Sequence, residues 1–181
     1  MPKVDRRILK TQEALKKAVI ELMTEKSFDE ITIQDLSDRA NVSRGTIYLH
    51  YQDKYDLLDK LIEAHMNELR EICLSSADLE YVEAELLWFE YFERHYLFFS
   101  TMLASKGAPF FRTRFLELVV SVLHEDSCQT EGRNEEFHSD LVIEFFASAI
   151  VGIVEWWFKN EKPYSPQVMA EQVGKLLERN L

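Results

Sequence analysis

The feature that most restricts the fold of this chain is a pair of short helices predicted between residues 31 and 51. Thr32 can cap the first helix through its hydroxyl, and Asp35, three residues later, favours the positive end of that helix. Ser43 can cap the second helix in the same way. Asn41 lies between the two, where a tight turn requires a left-handed residue, a conformation that Asn tolerates better than most. The spacing therefore predicts helix, tight turn and helix.

A longer amphipathic helix is predicted ahead of this pair, over about residues 5–25. Its apolar positions recur at steps of three, four and seven: Ile8, Leu15, Ala18, Val19 and Leu22. A supported helix-turn-helix is the arrangement that places a recognition helix in the major groove of DNA. The alternative is a plain core hairpin. The second helix favours DNA, because its exposed Arg, Thr, Tyr and His suit phosphates and base edges.

The stretch 28–58, FDEITIQDLSDRANVSRGTIYLHYQDKYDLL, closely resembles the DNA-binding module of TetR-family bacterial transcriptional regulators. It departs from the family pattern at Asn41, Leu49 and Tyr51. The resemblance implies an all-α fold with two parts. A three-helix, helix-turn-helix DNA-binding head would occupy residues 1–53, and a helical ligand-binding and dimerisation body would occupy residues 54–181.

The resemblance also implies which residues meet double-stranded operator DNA. Thr32 and Lys54 would touch phosphates at helix N-termini, and Tyr48 and His50 would pack against the DNA backbone. The predicted DNA-binding residues are Thr32, Ser43, Arg44, Gly45, Thr46, Tyr48, His50 and Lys54.

Within this set, Arg44 and Thr46 are the candidates for sequence-specific contacts. An Arg side chain can donate two hydrogen bonds to guanine, and a Thr methyl can meet the methyl of thymine. Gly45 would let the helix approach DNA closely. Leu49 either removes one backbone contact or touches a thymine methyl, so it leaves the operator preference open.

The net charge of −11 would by itself argue against nucleic acid. Residues 1–60 contain eleven Lys and Arg and eleven Asp and Glu, so the acidic excess lies in residues 61–181. Arg6, Arg7 and Lys10 belong to a basic N-terminal segment, which is either a DNA-contacting arm or a solvated tail. This distribution indicates a neutral head and an acidic body with different partners.

The body is rich in aromatic residues, ten of which fall between residues 88 and 115. Such rings either fill a core, which is the better prediction for any single ring, or line a cavity for an apolar ligand. The family resemblance favours the cavity. The predicted ligand-binding residues are Trp88, Phe89, Phe92, Tyr96, Phe99, Phe111 and Phe115. Glu90 and Glu93 lie among the rings, either on a wet face, which we favour, or buried as partners of a cationic or amphipathic ligand.

Ahead of these rings, periodicity predicts a helix from Lys54 to about residue 75. Asp78 is the predicted cap of the helix that follows it. A loop is predicted at Gly107, Ala108 and Pro109. Two apolar helices are predicted, over residues 137–158 and 166–180. The first is expected to be buried; it is too short, and too often interrupted by charged residues, to span a membrane. The two helices resemble the dimer element of the family, so we expect a homodimer; the alternative is burial within one subunit.

The remaining residues give no sign of other chemistry. Cys73 and Cys128 show no zinc spacing and are expected to be inert fillers, and no catalytic or phosphate-loop motif is present. The absence of a leader and of a disulfide framework predicts a cytoplasmic protein without a membrane partner. We therefore expect a non-enzymatic, homodimeric repressor of a palindromic operator, with no cofactor or metal, released by an unknown apolar or amphipathic ligand. The alternative is a TetR-like co-regulator that acts mainly through a protein partner.

Overall fold

The computed structural model describes residues 6–76, 78–104, 109–126, 134 and 136–180, which contain helices and no strand. The all-α prediction is confirmed for these residues. Gly107, Ala108 and Cys128 lie outside them. The chain divides into two compact units, with the boundary between His65 and Met66.

The first unit, called the head below, is built from short helices around one apolar core. Its elements are α1 (Arg6–Glu25), a 3-10 turn (Phe28–Glu30), α2 (Ile33–Ala40), α3 (Arg44–Tyr48) and the first part of α4 (Lys54–Ser75). The inward positions of α1 are Leu15, Ala18, Val19 and Leu22, as the periodicity predicts. Leu57, Leu58, Leu61 and Ile62 of α4 are also buried. The unit boundary therefore falls inside α4 and not at residue 53, where the sequence places it.

The two short helices of the head begin at the predicted caps. The Thr32 hydroxyl accepts a hydrogen bond from the Asp35 amide at 3.1 Å, and the Thr32 amide donates to the Asp35 carboxylate at 2.7 Å. The Ser43 hydroxyl likewise accepts from the Thr46 amide at 3.1 Å. Asn41 ends α2 in the left-handed conformation, with φ 53° and ψ 47°. The helix-turn-helix prediction is confirmed in each of these details.

In its described residues the second unit, the body, contains the rest of α4 and five further helices. These are α5 (Tyr81–Arg94), α6 (Tyr96–Ala104), α7 (Pro109–Asp126), α8 (Ser139–Lys159) and α9 (Pro166–Asn180). The predicted cap at Asp78 is wrong, since α5 begins at Tyr81 after Glu80, whose side chain makes no capping bond. Helix α9 packs very closely on α5, because a Cβ added at Gly174 would lie 2.7 Å from the Cα of Val82.

Helix α8 is 21 residues long and, by length and composition alone, could cross a membrane. The expectation that this segment is too short and too interrupted is therefore corrected. Within the body α8 packs on α6 and α7, and its inward residues Ile143, Ala147 and Val151 are buried. A core helix of a globular protein has this same composition, so the packing is the more informative observation.

Candidate functional site

The turn between α2 and α3 is held by its own hydrogen bonds. The buried Ser37 hydroxyl donates to the Val42 carbonyl at 2.6 Å, and the Val42 amide donates to the Ser37 carbonyl at 3.1 Å. Both bonds cross the turn at Asn41, so they fix the direction in which α3 leaves α2. Local bonds therefore determine how α3 is presented at the surface of the head.

Ion pairs connect α2 to the neighbouring elements of the head. Lys26 donates to Asp35 at 2.7 Å, and Arg39 binds both oxygens of Glu25 at 2.8 Å. The hydrogen bonds from Lys26 and Thr32 hold the pKa of the Asp35 carboxyl well below its ordinary value. Because the hydroxyl and amide of Thr32 are both engaged with Asp35, the primary role of this pair is to begin α2.

Helix α3 presents one buried and one exposed side. Ile47 is fully buried and anchors the helix, and Tyr51 just beyond it is buried as well. Exposed or partly exposed are Arg44, Gly45, Thr46, Tyr48, Leu49 and His50. Arg44 makes no hydrogen bond or ion pair among the described residues, so its guanidinium is available to an external partner. A Cβ added at Gly45 would meet only the Ser43 hydroxyl, at 3.7 Å, so the surface above Gly45 is open.

Lys54 does not lie where a phosphate-binding residue is expected. Its ammonium donates to the carbonyls of Phe28, Asp29 and Ile31 at 2.8–2.9 Å and lies 5.1 Å from the Phe28 ring centroid. An ammonium has three N–H donors, and all three are used here. The expected phosphate contact is therefore corrected: the side chain of Lys54 holds the 3-10 turn against α4.

The aromatic cluster of the body is a packed core. Phe89, Phe92, Phe99, Phe111 and Phe115 are at most 1% exposed. Phe92 lies edge-on to Phe99 at 4.8 Å and to Phe115 at 5.9 Å between ring centroids. Such edge-to-face pairs fill space and leave none for a ligand. The prediction that these five rings line a ligand cavity is therefore corrected to the core-filling alternative.

The other two predicted ligand-binding rings have different surroundings. Tyr96 lies at the surface, tilted over Phe158 at 5.7 Å, with the Lys162 ammonium 4.8 Å from its ring. Lys162 also binds Glu93 at 3.0 Å, and Glu90 and Glu93 are exposed, so the wet-face prediction for these carboxylates is confirmed. Trp88 lines a cavity that contains none of the other six predicted rings.

This cavity has a volume of about 450 Å³ and lies within the body. It is partly open to solvent and is lined by the end of α4, the segment before α5, the first half of α5, and parts of α7, α8 and α9. Its apolar walls include Trp88, Val119, Val122, Leu123, Ile150 and Leu177. Its polar residues are Cys73, Ser76, Asp78, Glu80, Tyr81 and Glu85. The volume and the mostly apolar wall are typical of a site for a small organic ligand.

Glu85 is the carboxylate of the lining that lies on α5 itself, and its side chain is partly buried. Burial raises the pKa of its carboxyl to about 7. We find no hydrogen bond or ion pair to Glu85 among the described residues. The neighbouring Cys73 is already engaged, because its sulfur accepts a hydrogen bond from the Trp88 indole at 3.1 Å. Sequence reasoning missed Glu85, although it lies one helical turn before Trp88 and Phe89, on the buried side of α5.

Helices α8 and α9 carry a second feature, an exposed apolar face. On α8 it consists of Leu141, Phe145 and Trp156, which are 67, 69 and 46% exposed. On α9 it consists of Val168 and Leu176, which are 41 and 53% exposed. Spacings of four and eleven residues place the α8 members on one side of the helix. The prediction of a fully buried α8 is therefore wrong for this side.

Comparison with known proteins agrees with both units. Residues 83–179 match a family model described as the C-terminal region of a transcriptional regulator, and residues 15–61 match one described as bacterial regulatory proteins of the tetR family. The chain belongs to the TetR family. It is accordingly a member of a family of transcriptional regulators, and its head carries the helix-turn-helix that the family model matches.

Among the relatives of this TetR-family protein is the uncharacterized regulator YxbF of Bacillus subtilis (strain 168), 26% identical over 97% of this chain. The chain spans 46% of the length of that relative. A solved TetR regulator from Streptococcus agalactiae 2603V is 25% identical, with 95 and 96% of the two chains covered and a TM-score of 0.73. FadR of Bacillus subtilis, solved with stearoyl-CoA, is 18% identical, with 93 and 98% covered and a TM-score of 0.70, and shares the fold.

Proposed function

We propose that the protein is a cytoplasmic, homodimeric repressor that binds a palindromic operator through α3 and leaves it when a small ligand occupies the body. The observation that carries this proposal is the surface of α3. Arg44 and Thr46 stand at the start of a helix held by the Ser43 cap, and the Arg44 side chain has no partner among the described residues of the head. The first residues of a recognition helix are those that meet base edges.

The other predicted DNA contacts fall into a positioning group. Tyr48 is 58% exposed on the same helix, and His50 follows it in the adjoining turn. Contacts from such residues to phosphate and sugar fix the register of a protein on DNA without reading sequence. Lys54 is not part of this group, because its ammonium is engaged within the head. At the start of α2, the backbone N–H groups rather than the Thr32 hydroxyl suit a phosphate.

The exposed face of α8 and α9 supports the homodimer. Isolated exposed apolar residues are common, but three large ones on one side of α8, with two more exposed on α9, mark an interaction surface. Gly152 lies on α8 between Phe145 and Trp156, and a Cβ added there would meet nothing within 4 Å. A second copy of α8 could approach closely at this open position.

The dimer is tested by native mass spectrometry of wild type and of Phe145→Glu. We expect a dimer for wild type and a folded monomer for Phe145→Glu, since a carboxylate would have to be buried at the interface. Leu97→Glu is the matched control, because Leu97 is an exposed leucine of α6 outside this face. A wild-type monomer at micromolar concentration would contradict the dimer.

Ligand release follows from a coupling of two sites. A ligand that prefers the body conformation of the DNA-free state weakens DNA binding, and DNA weakens ligand binding by the same factor. The stearoyl-CoA bound by FadR is a phosphate-bearing anion. We do not transfer that ligand class to this chain, because its cavity is bordered by the three carboxylates of Asp78, Glu80 and Glu85.

The DNA-binding proposal is tested by selecting the duplexes that the protein binds. The starting DNA is a random pool to which fragments from upstream of the coding sequence are added. We expect enrichment of a palindrome whose half-sites are about 10 base pairs apart, or a multiple of that. Binding should fall steeply with salt, because phosphate contacts release counterions. A pool without enrichment, together with salt-insensitive binding, would overturn the proposal and favour action through a protein partner. Repression itself is tested with a reporter gene placed under the selected palindrome, whose output should fall when the protein is expressed.

A further inference from the structure

We propose that the body cavity selects a cation with an apolar tail, and that Glu85 is the residue that binds the positive group. The inference rests on the proposed function, since it names the ligand class of the same regulatory site. It goes beyond that function because it predicts which charge the ligand carries and which side chain recognises it.

The lining of the cavity is acidic. It includes Asp78, Glu80 and Glu85, and none of the described residues that line it is Lys, Arg or His. Asp78 and Glu80 are exposed in the segment that precedes α5, whereas Glu85 lies deeper, on the helix itself. Acidic groups at the rim raise the local concentration of cations and repel anions. The cavity therefore favours a positively charged ligand before any contact is made.

Glu85 is a partly buried carboxylate that lines the cavity without a partner of its own. A carboxylate removed from bulk water is stabilised by an ion partner or by several hydrogen bonds, and Glu85 has neither among the described residues. The described lining residues of α7, α8 and α9 carry no charge: Val119, Val122, Leu123, Ile150 and Leu177. Cys73 and Tyr81 are the remaining ionisable neighbours in the lining. An ammonium or amidinium in the cavity would provide the missing partner.

The rest of the lining indicates the shape of the ligand. The residues that α7, α8 and α9 contribute are aliphatic, and Trp88, one turn along α5 from Glu85, borders the same space. Aliphatic walls favour an apolar tail, and an indole ring attracts an ammonium group through its electron-rich face. A volume of about 450 Å³ suits one small amphipathic molecule.

Isothermal titration calorimetry with three probes of one chain length tests this proposal. Decyltrimethylammonium, decanol and decyl sulfate, each below its micelle concentration, differ mainly in the charge of the head group. We expect decyltrimethylammonium to bind wild type at least about tenfold more tightly than decyl sulfate, with decanol between them. Glu85→Gln should lose at least about tenfold in affinity for the ammonium, equivalent to about 1.4 kcal/mol, and little for decanol.

Glu90→Gln is the matched control, because Glu90 is an exposed carboxylate of the same helix and does not line the cavity. The wild-type affinity for the ammonium should also rise about tenfold from pH 6 to pH 8, as Glu85 ionises. Preference for the sulfate, equal loss in Glu85→Gln and Glu90→Gln, or no binding of any probe would overturn the proposal. Failure of the proposed function gives a different result: wild type without ligand would retain no duplex in the selection, whatever the order of affinities for the three probes.

Discussion

Replacing Glu85 by Gln should stabilise the protein, and the gain should grow with pH. Burial raises the pKa of Glu85 from an ordinary 4.5 to about 7. The folded protein therefore holds a proton that the unfolded chain releases between these values, so stability falls as pH rises through this window. Above pH 7 the wild-type protein carries the full cost of an ionised, partly buried carboxylate without a partner. Gln has nearly the same shape and no charge, so it removes that cost.

The magnitude follows from the difference between the two pKa values. Each unit corresponds to about 1.4 kcal/mol, so Glu85→Gln should gain about 3 kcal/mol at pH 8. At pH 5 the folded carboxyl is protonated and the unfolded one only partly ionised, so the gain should shrink to about 1 kcal/mol. At pH 4 it should nearly vanish.

Urea unfolding at these three pH values, followed by circular dichroism, measures the effect. All samples need one protein concentration, because dimerisation couples unfolding to concentration. Glu90→Gln should change the free energy of unfolding by less than about 0.5 kcal/mol at every pH, since its carboxylate is already in water. A gain in Glu85→Gln that is the same at pH 4 and pH 8, or a loss at pH 8, would refute the reasoning.

Three further substitutions probe the head and the packing of the body. Gly45→Ala should leave the fold intact or stabilise it by up to about 1 kcal/mol, because the added Cβ meets only open surface in the free protein. The same Cβ should weaken operator binding, because it would occupy the surface that DNA approaches closely. Thermal unfolding and gel shifts measure the two effects, and unchanged binding would show that DNA does not approach Gly45 closely. Gly174→Ala should instead destabilise the body by about 1–3 kcal/mol, because its Cβ would collide with the backbone of Val82; an unchanged melting temperature would contradict this. Lys54→Ala should destabilise the head by about 2–3 kcal/mol by leaving three carbonyls without their cationic donor, whereas Lys60→Ala should cost less than about 1 kcal/mol. Urea unfolding measures both losses. Equal losses of stability in the two variants would contradict the structural role of the Lys54 ammonium.

The head could be predicted almost completely from sequence because its decisive interactions are local. Thr32 and Asp35 are three residues apart, Ser43 caps through Thr46, and Asn41 takes its conformation within one turn. Each of these follows from the chemistry of single side chains and nearby amides. Lys54 shows the limit of such reasoning, because the carbonyls that it binds come from residues 28–31 and meet it only in the folded head.

The body was less predictable because its site depends on packing between distant segments. The density of rings between residues 88 and 115 indicates a large apolar volume, but not whether that volume is filled. Five rings fill it, and the cavity lies instead beside Glu85, where residues of five helices and of the segment before α5 meet. A carboxylate on the same side of α5 as Trp88 and Phe89 was the available signal, since a charged residue on a buried stripe requires a reason.

The most direct test of the account is competitive gel shift of the selected palindrome against a scrambled duplex, with wild type, Arg44→Ala and Arg44→Lys. Arg44→Lys keeps the charge but loses the planar two-donor geometry, so it separates base recognition from attraction to phosphates. We predict that both variants lose about 1–3 kcal/mol of preference for the palindrome, and that Arg44→Lys retains the salt dependence of wild type. Unchanged preference in both variants would contradict the claim that α3 reads the operator through Arg44.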